Sequence, residues 1–410
     1  MSKVFSHLRD PATSLWFLAL LALALRLAVA ALTSGADYDI TSYHLQAQSV
    51  LTHQNVYAVT DRYPYPPVWV WLAGLAQWTA NVTGLPFVWL VKLPGILGDG
   101  LIVALLRRYQ GVGAALFYAL NPVSIVITAG HGQFDGLVLA CVVAAWALWQ
   151  RQPQRQTAWA ALALGGAIAL KGYPILLLPA LLIKAPTHKH RVVLVGLALT
   201  PLVVCVLIYT AFFGLEPVMV SRVLGYVSPA AFGWALYGNS LLGLWPNGAN
   251  LLLPTLSLIT RIIVLALPLF LIWRRPTWPL ERQWLAVFLG FYALAPGVSA
   301  QYLLWALPLL ALLDLRAGIS YTGFAFVALF FFYLYKHPGA VPWGPAIASS
   351  RPFYVWLVGY WIADLAWWGV CLRLFLRIFR QTDQTPHQDQ GPLAGGDDHS
   401  LAETPLNRRA

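Results

Sequence analysis

Several short runs in this chain combine residue types that can do acid–base or phosphate chemistry. The first is Asp37-Tyr38-Asp39, followed by Tyr43-His44, Tyr57 and Asp61-Arg62-Tyr63-Pro64-Tyr65-Pro66-Pro67. Two carboxylates this close can take different roles, one as general base, the other orienting a hydroxyl or holding a divalent ion. Helix capping or plain solvation of a loop is the competing role. The second run is His131-Gly132-Gln133-Phe134-Asp135. Its His and Asp share a face if helical, but two ligands do not make a metal site, and Asp135 can equally cap a helix. Lys171-Gly172-Tyr173-Pro174 and Ser299-Ala300-Gln301-Tyr302 complete the set. Lys171 suits either a phosphate contact or an interfacial anchor.

The elements that must hold these runs are hydrophobic. Of 410 residues, 59% are hydrophobic and 10% charged, with a mean hydropathy of +0.66. That excludes an ordinary soluble enzyme and a disordered chain. The net charge of +11 comes from scattered cations with no dense basic face, so nucleic acid is not an expected partner. Apolar runs long enough to cross a bilayer recur from Ser14 to Arg380. The expected fold is all-α and polytopic, with about 11–13 transmembrane or re-entrant helices in one domain over 1–380. The polar tail 381–410 reads as disordered and cytoplasmic.

Charge placement orients the chain. Arg107-Arg108, Arg151…Arg155, Lys184…Arg191, Arg274…Arg282, Arg316, Arg373…Arg380 and the two ends hold 18 of 26 basic residues, which assigns those loops to the cytoplasm. External loops then fall at about 34–66, 129–133, 214–247, 297–300 and 336–353. Helices are expected at about 14–33, 112–128 and 134–150, a tight hairpin at 156–183, and a short surface helix within 40–53. Segment 67–83 is either re-entrant or a span that breaks the charge rule. Only ten acids precede the tail, and Asp37, Asp39 and Asp61 all lie in the first external loop, with Asp135 following the second. Arg62, Arg222, Lys336 and Arg351 are the cations placed outside. Cys141, Cys205 and Cys371 sit in apolar runs and read as inert.

The order of these runs resembles the GT-C superfamily of polytopic glycosyltransferases. It resembles most the catalytic subunit of the GPI mannosyltransferases and bacterial mannosyltransferases that use polyprenyl-phosphate sugars, and more distantly the dolichyl-phosphate-glucose enzymes. The matching residues are Asp37-Tyr38-Asp39, Arg62-Tyr63-Pro64-Tyr65-Pro66-Pro67, Lys92…Asp99, Asn121-Pro122 leading to His131-Gly132-Gln133-Phe134-Asp135, Lys171-Gly172-Tyr173-Pro174 and Gln301-Tyr302-Leu303-Leu304-Trp305. The resemblance implies an inverting transfer of a hexose, mannose favoured, from a polyprenyl- or dolichyl-phosphate sugar to a lipid or glycan hydroxyl on the external or luminal face. It implies Asp37 as base with Asp39 orienting the acceptor or a divalent cation (Mg or Mn), or the reverse order. His131, Gln133 and Asp135 would shape the sugar or phosphate pocket. Lys171, Arg222 and Arg62 would face the phosphate, and Tyr65, Tyr173, Gln301 and Tyr302 would line the same cavity. The His-Gly-Gln-Phe-Asp form lies nearer the glucosyl enzymes, so the motif leaves the donor sugar open. A bacterial plasma membrane is the favoured location, with the ER membrane as alternative. The rival reading is a multi-pass transporter or lipid-linked glycan flippase, which would use Arg26, Lys92, Asp99 and Asp364 along a polar path.

Overall fold

The structure is a computed structural model and describes residues 11–151, 157–226, 228, 230–242 and 246–380. The tail 381–410 and the Arg155 end of the expected hairpin lie outside the described residues. Those described form an all-α protein; an isolated bridge between Phe232 and Val298 is the strand-like pairing among them. The longer helices that frame the site are α1 (Pro11–Ala31), α2 (Asp37–Leu51), α3 (Val68–Thr83), α4 (Phe87–Gln110), α5 (Val112–Ala119), α6 (Asp135–Arg151), α7 (Thr157–Leu170), α8 (His188–Phe213), α9 (Leu280–Leu294), α10 (Leu315–Lys336) and α11 (Phe353–Arg380).

Among the described residues, α4, α8, α10 and α11 are each long and apolar enough to cross a membrane, and α5 with its continuation to His131 makes a fifth if that bent pair is one span. Some other apolar segments are interrupted at prolines or glycines. The single helix expected over 112–128 is one such case. It stops at Ala119, restarts at Pro122 and bends by 44°. Pro122 has no N–H to continue the ladder, and the Asn121 side chain accepts from the N–H groups of Val123 and Ser124, starting a new helix instead. From Val126 to His131 the backbone winds as a π-helix and ends at Gly132, which sits at φ +96. Such wide turns gather at functional sites. The expected external loop 129–133 is therefore ordered helix end, with Thr128, Gly130 and His131 buried.

The expected surface helix is present but starts earlier, so Asp37 and Asp39 occupy the first turn of α2 rather than a loop before it. Acids there meet the positive end of the helix dipole. α6 begins at Asp135, as the apolar run from there suggests. α4 and α6 cross closely next to this point. A Cβ on Gly98 would lie 2.5 Å from the Gly136 carbonyl carbon, and one on Gly95 would lie 2.7 Å from the Gln133 carbonyl oxygen. Glycine alone permits that approach, which brings α4 against the backbone carrying Gln133.

One contiguous apolar cluster runs through nearly all the helices. α8 shows the other face of a membrane chain: Val192, Val203, Leu207 and Phe212 stand exposed along it. Arg26, Asp99, Lys92 and Asp364, charges within apolar segments, each find partners inside the protein. Arg26 pairs with Asp99 at 2.6 Å and donates to the carbonyls of Ala22, Tyr118 and Ala119 and to Ser124, while Tyr118 donates to Asp99. Lys92 donates to the carbonyls of Ala30 and Thr33, closing the C-terminal end of α1. Asp364 on α11 accepts from the Gly233 N–H.

Candidate active site

The N-terminus of α2, the π-helical end at His131, the turn Ala300–Leu304 and the end of α10 line one cavity of about 620 Å³, and the 132–135 segment and Lys171 are buried behind it. Its polar end is formed by Asp39, His131, Tyr65, Tyr226, Ser299 and Gln301. Its lining also includes the apolar and aromatic Phe332, Leu357, Tyr360 and Trp361 and the basic Lys336 and His337. The segment carrying Tyr226 is pinned to the Ala300 turn by the Phe232–Val298 bridge and by Ser228, whose hydroxyl lies 2.5 Å from that of Ser299.

Asp39 is the carboxylate in the cavity. Its Oδ2 accepts from His131 Nε2 at 2.5 Å and from Gln133 Nε2 at 2.8 Å, and its side chain remains 26% exposed. Oδ1 carries no hydrogen bond among the described residues. Burial pushes the Asp39 carboxyl up, but the hydrogen bond from His131, any positive charge on that ring, the charge of Lys171 and the hydrogen bond from Gln133 outweigh it and hold the group below its ordinary value. Asp37, two residues earlier, is exposed in the same helical turn and lies outside the cavity lining.

Behind Asp39 the polar side chains form a continuous line. Gln133 Oε1 accepts from Tyr43 at 3.2 Å and from Lys171 at 3.1 Å. Lys171 pairs with Asp135 at 2.5 Å, both nearly fully buried, and its ammonium lies over the rings of Phe134 and Tyr65, at 4.3 and 4.9 Å. Asp135 Oδ1 accepts from Trp305 at 2.9 Å, and Trp305 is stacked between Tyr173 and Tyr302. Lys171 and Asp135 thus neutralise one another, so the lysine has little charge left for a phosphate.

The other two cations expected at a phosphate, Arg222 and Arg62, are not among the residues that line the cavity. Arg222 donates to the carbonyl of Thr60. Arg62 stacks on Tyr38 at 3.9 Å and reaches the Tyr38 carbonyl. Lys336 and His337, at the end of α10, are the basic side chains that join His131 in lining the cavity. His337 was not singled out from sequence, nor was Tyr333, whose hydroxyl lies 2.8 Å from His131 Nδ1. The signal available was slight: a polar pair ending the aromatic run Phe330-Phe331-Phe332-Tyr333-Leu334-Tyr335. Tyr226, which lines the same space, is pushed up to about 12 by burial and by Asp39, so it stays a hydroxyl donor at neutral pH.

Among the described residues no group of three or more His, Cys, Asp or Glu side chains is arranged to hold a metal ion.

No family model matches the chain, and no curated protein matches it. Among solved structures, the crystal structure of ArnT from Cupriavidus metallidurans bound to undecaprenyl phosphate is similar to it. The alignment has 17% identity, covers 88% of this chain and 77% of that one, and gives a TM-score of 0.49.

Proposed function

We propose that the chain is an inverting glycosyltransferase that moves a hexose, mannose favoured, from a polyprenyl- or dolichyl-phosphate sugar to an acceptor hydroxyl at the external face of the membrane. The observation that carries this reading is the cavity itself. Its lining combines a carboxylate with one unbonded oxygen, several aromatic side chains and a lysine, among helices long and apolar enough to cross a membrane. A lipid-phosphate sugar has matching parts: a polar ring, an anionic joint and a hydrocarbon chain.

In this scheme the acceptor hydroxyl hydrogen-bonds to Asp39 Oδ1. Its oxygen attacks the anomeric carbon, its proton passes to Asp39, and the bond from that carbon to the phosphate oxygen breaks. The lipid phosphate leaves with the electron pair and the anomeric centre inverts. A carboxylate held low is a weak base at the outset. It takes the proton late, once bond formation has acidified the attacking hydroxyl. Lys336 faces the charge that grows on the leaving phosphate, where a fixed cation in a water-poor site does most. Gln301 and Tyr226 offer donors to the sugar. The intact chain, incubated with radiolabelled polyprenyl-phosphate mannose or glucose and the extracted membrane lipids, should produce a labelled glycolipid. Retention of all label on the donor across both sugars would sink the proposal.

A further inference from the structure

His131 is held at both ring nitrogens. Nε2 lies 2.5 Å from Asp39 Oδ2 and Nδ1 lies 2.8 Å from the Tyr333 hydroxyl. An ionised carboxylate only accepts, so Nε2 must carry a proton and donate it. Two states remain. If the ring is neutral, Nδ1 is a bare acceptor and the Tyr333 O–H donates to it. If the ring is an imidazolium, Nδ1 donates, and the Tyr333 hydroxyl hydrogen has no acceptor among the described residues. Tyr333 is fully buried, so a stranded hydroxyl hydrogen there is costly. The neutral ring with its proton on Nε2 satisfies Asp39 and the Tyr333 hydroxyl, and the Gln133 amide nitrogen, 3.3 Å from Nε2, then spends its hydrogen on Asp39 Oδ2 at 2.8 Å.

We infer that Tyr333 is a positioning residue: by donating to Nδ1 it locks His131 in the Nε2–H tautomer, which fastens Asp39 Oδ2 and leaves Oδ1 free for the acceptor. The groups facing the ring are Asp39 from α2, and Tyr333 and His337 from the end of α10, with the His337 ring centroid at 6.3 Å. Lys171 acts on Asp39, while Asp39, Asp37 and Lys336 act on His337. Without the Tyr333 hydroxyl, the proton has no reason to prefer Nε2. The Nδ1–H tautomer would present a lone pair to the carboxylate and push it away.

The catalytic part of this inference rests on the glycosyl-transfer reading; the tautomer does not. Two measurements on the full chain in lipid nanodiscs test them separately. Nitrogen-15 histidine spectra, with the His131 signals identified by their loss in His131→Gln, should show a protonated Nε2 and an unprotonated Nδ1. Tyr333→Phe should give a mixture of tautomers. An imidazolium or an Nδ1–H ring in the wild-type chain would overturn the inference, even if Tyr333→Phe does not fold. The second measurement is the pH profile of transfer. Tyr333→Phe should move the acid limb of kcat up by about 0.5–1 pH unit, as weakening one hydrogen bond to a carboxylate implies, with KM unchanged. In a His131→Gln background, where the amide can still donate to Asp39, Tyr333→Phe should cause no further shift. An equal shift in both backgrounds, or an equal loss of rate at every pH, would refute the positioning role. A Tyr333-dependent tautomer in a chain that transfers no sugar would overturn the proposed reaction and leave the tautomer standing.

Discussion

At the residue scale the proposed reaction turns on two aspartates in one helical turn with different surroundings. Asp39 is hydrogen-bonded and faces the cavity, while Asp37 is exposed outside its lining. Asp39→Asn should therefore lower transfer by about 10²–10⁴-fold, the usual worth of a positioned base, while Asp37→Asn keeps most of it. The reverse ranking in a transfer assay would return the base to Asp37. The sign of the pH dependence follows from the depressed Asp39 carboxyl. Its ionised form, and the stability drawn from His131 and Gln133, is present above the unfolded value and lost as pH falls through the folded one. The acid limb of transfer should therefore lie below the ordinary aspartate range. A rate already halved at pH 6 would show that another group controls the limb. Lys171 and Asp135 are a different case, since neither is exposed. Breaking such a pair costs about 3–5 kcal/mol, so Lys171→Met should lower thermal stability sharply. Lys171→Met with Asp135→Asn should recover part of that loss, which thermal unfolding in detergent would register.

At the element scale the site depends on how the backbone between α5 and α6 is wound. The break at Asn121-Pro122, the π-helical turn and the left-handed Gly132 place His131 and Gln133 on the same oxygen of Asp39. Gly130 lies against another backbone, where a Cβ would come 2.3 Å from the Ala340 carbonyl oxygen. Gly130→Ala must then push the turn after α10 away from His131. A loss of about 1–3 kcal/mol is expected, with transfer falling further than folding does, as unfolding and assay of the same preparation would show. The hydropathy of 112–128 was legible, but its bend was not. Pro122 signals a restart, whereas the wide turn from Val126 to His131 follows from packing that no local pattern records. Tyr333 was hidden for a related reason. In an apolar, aromatic helix a tyrosine reads as membrane-core packing until its hydroxyl is seen beside His131.

At the scale of the whole molecule the cations set an orientation that can be read directly. In a background lacking Cys141, Cys205 and Cys371, Asp61→Cys and Lys189→Cys, both at exposed positions, should react with a membrane-impermeant thiol reagent from opposite sides of sealed vesicles. Labelling of both from one side would overturn the assignment of the first loop and the Lys184…Arg191 loop. Composition, apolar run length and the scarcity of acids were enough to determine an all-helical membrane chain and to direct attention to Asp37, Asp39, His131, Gln133 and Asp135. Those are properties of each segment's solvent, and solvent preference is written locally in residue type. Sequence alone did not determine that Asp39 rather than Asp37 enters the cavity, or that Lys171 is neutralised by Asp135. Nor did it show that Arg222 turns to Thr60 while Lys336 and His337 line the cavity. Each depends on which side chains from distant helices share a few ångströms of low-dielectric space. There a charge must find a partner, and only the packed chain decides which one it finds.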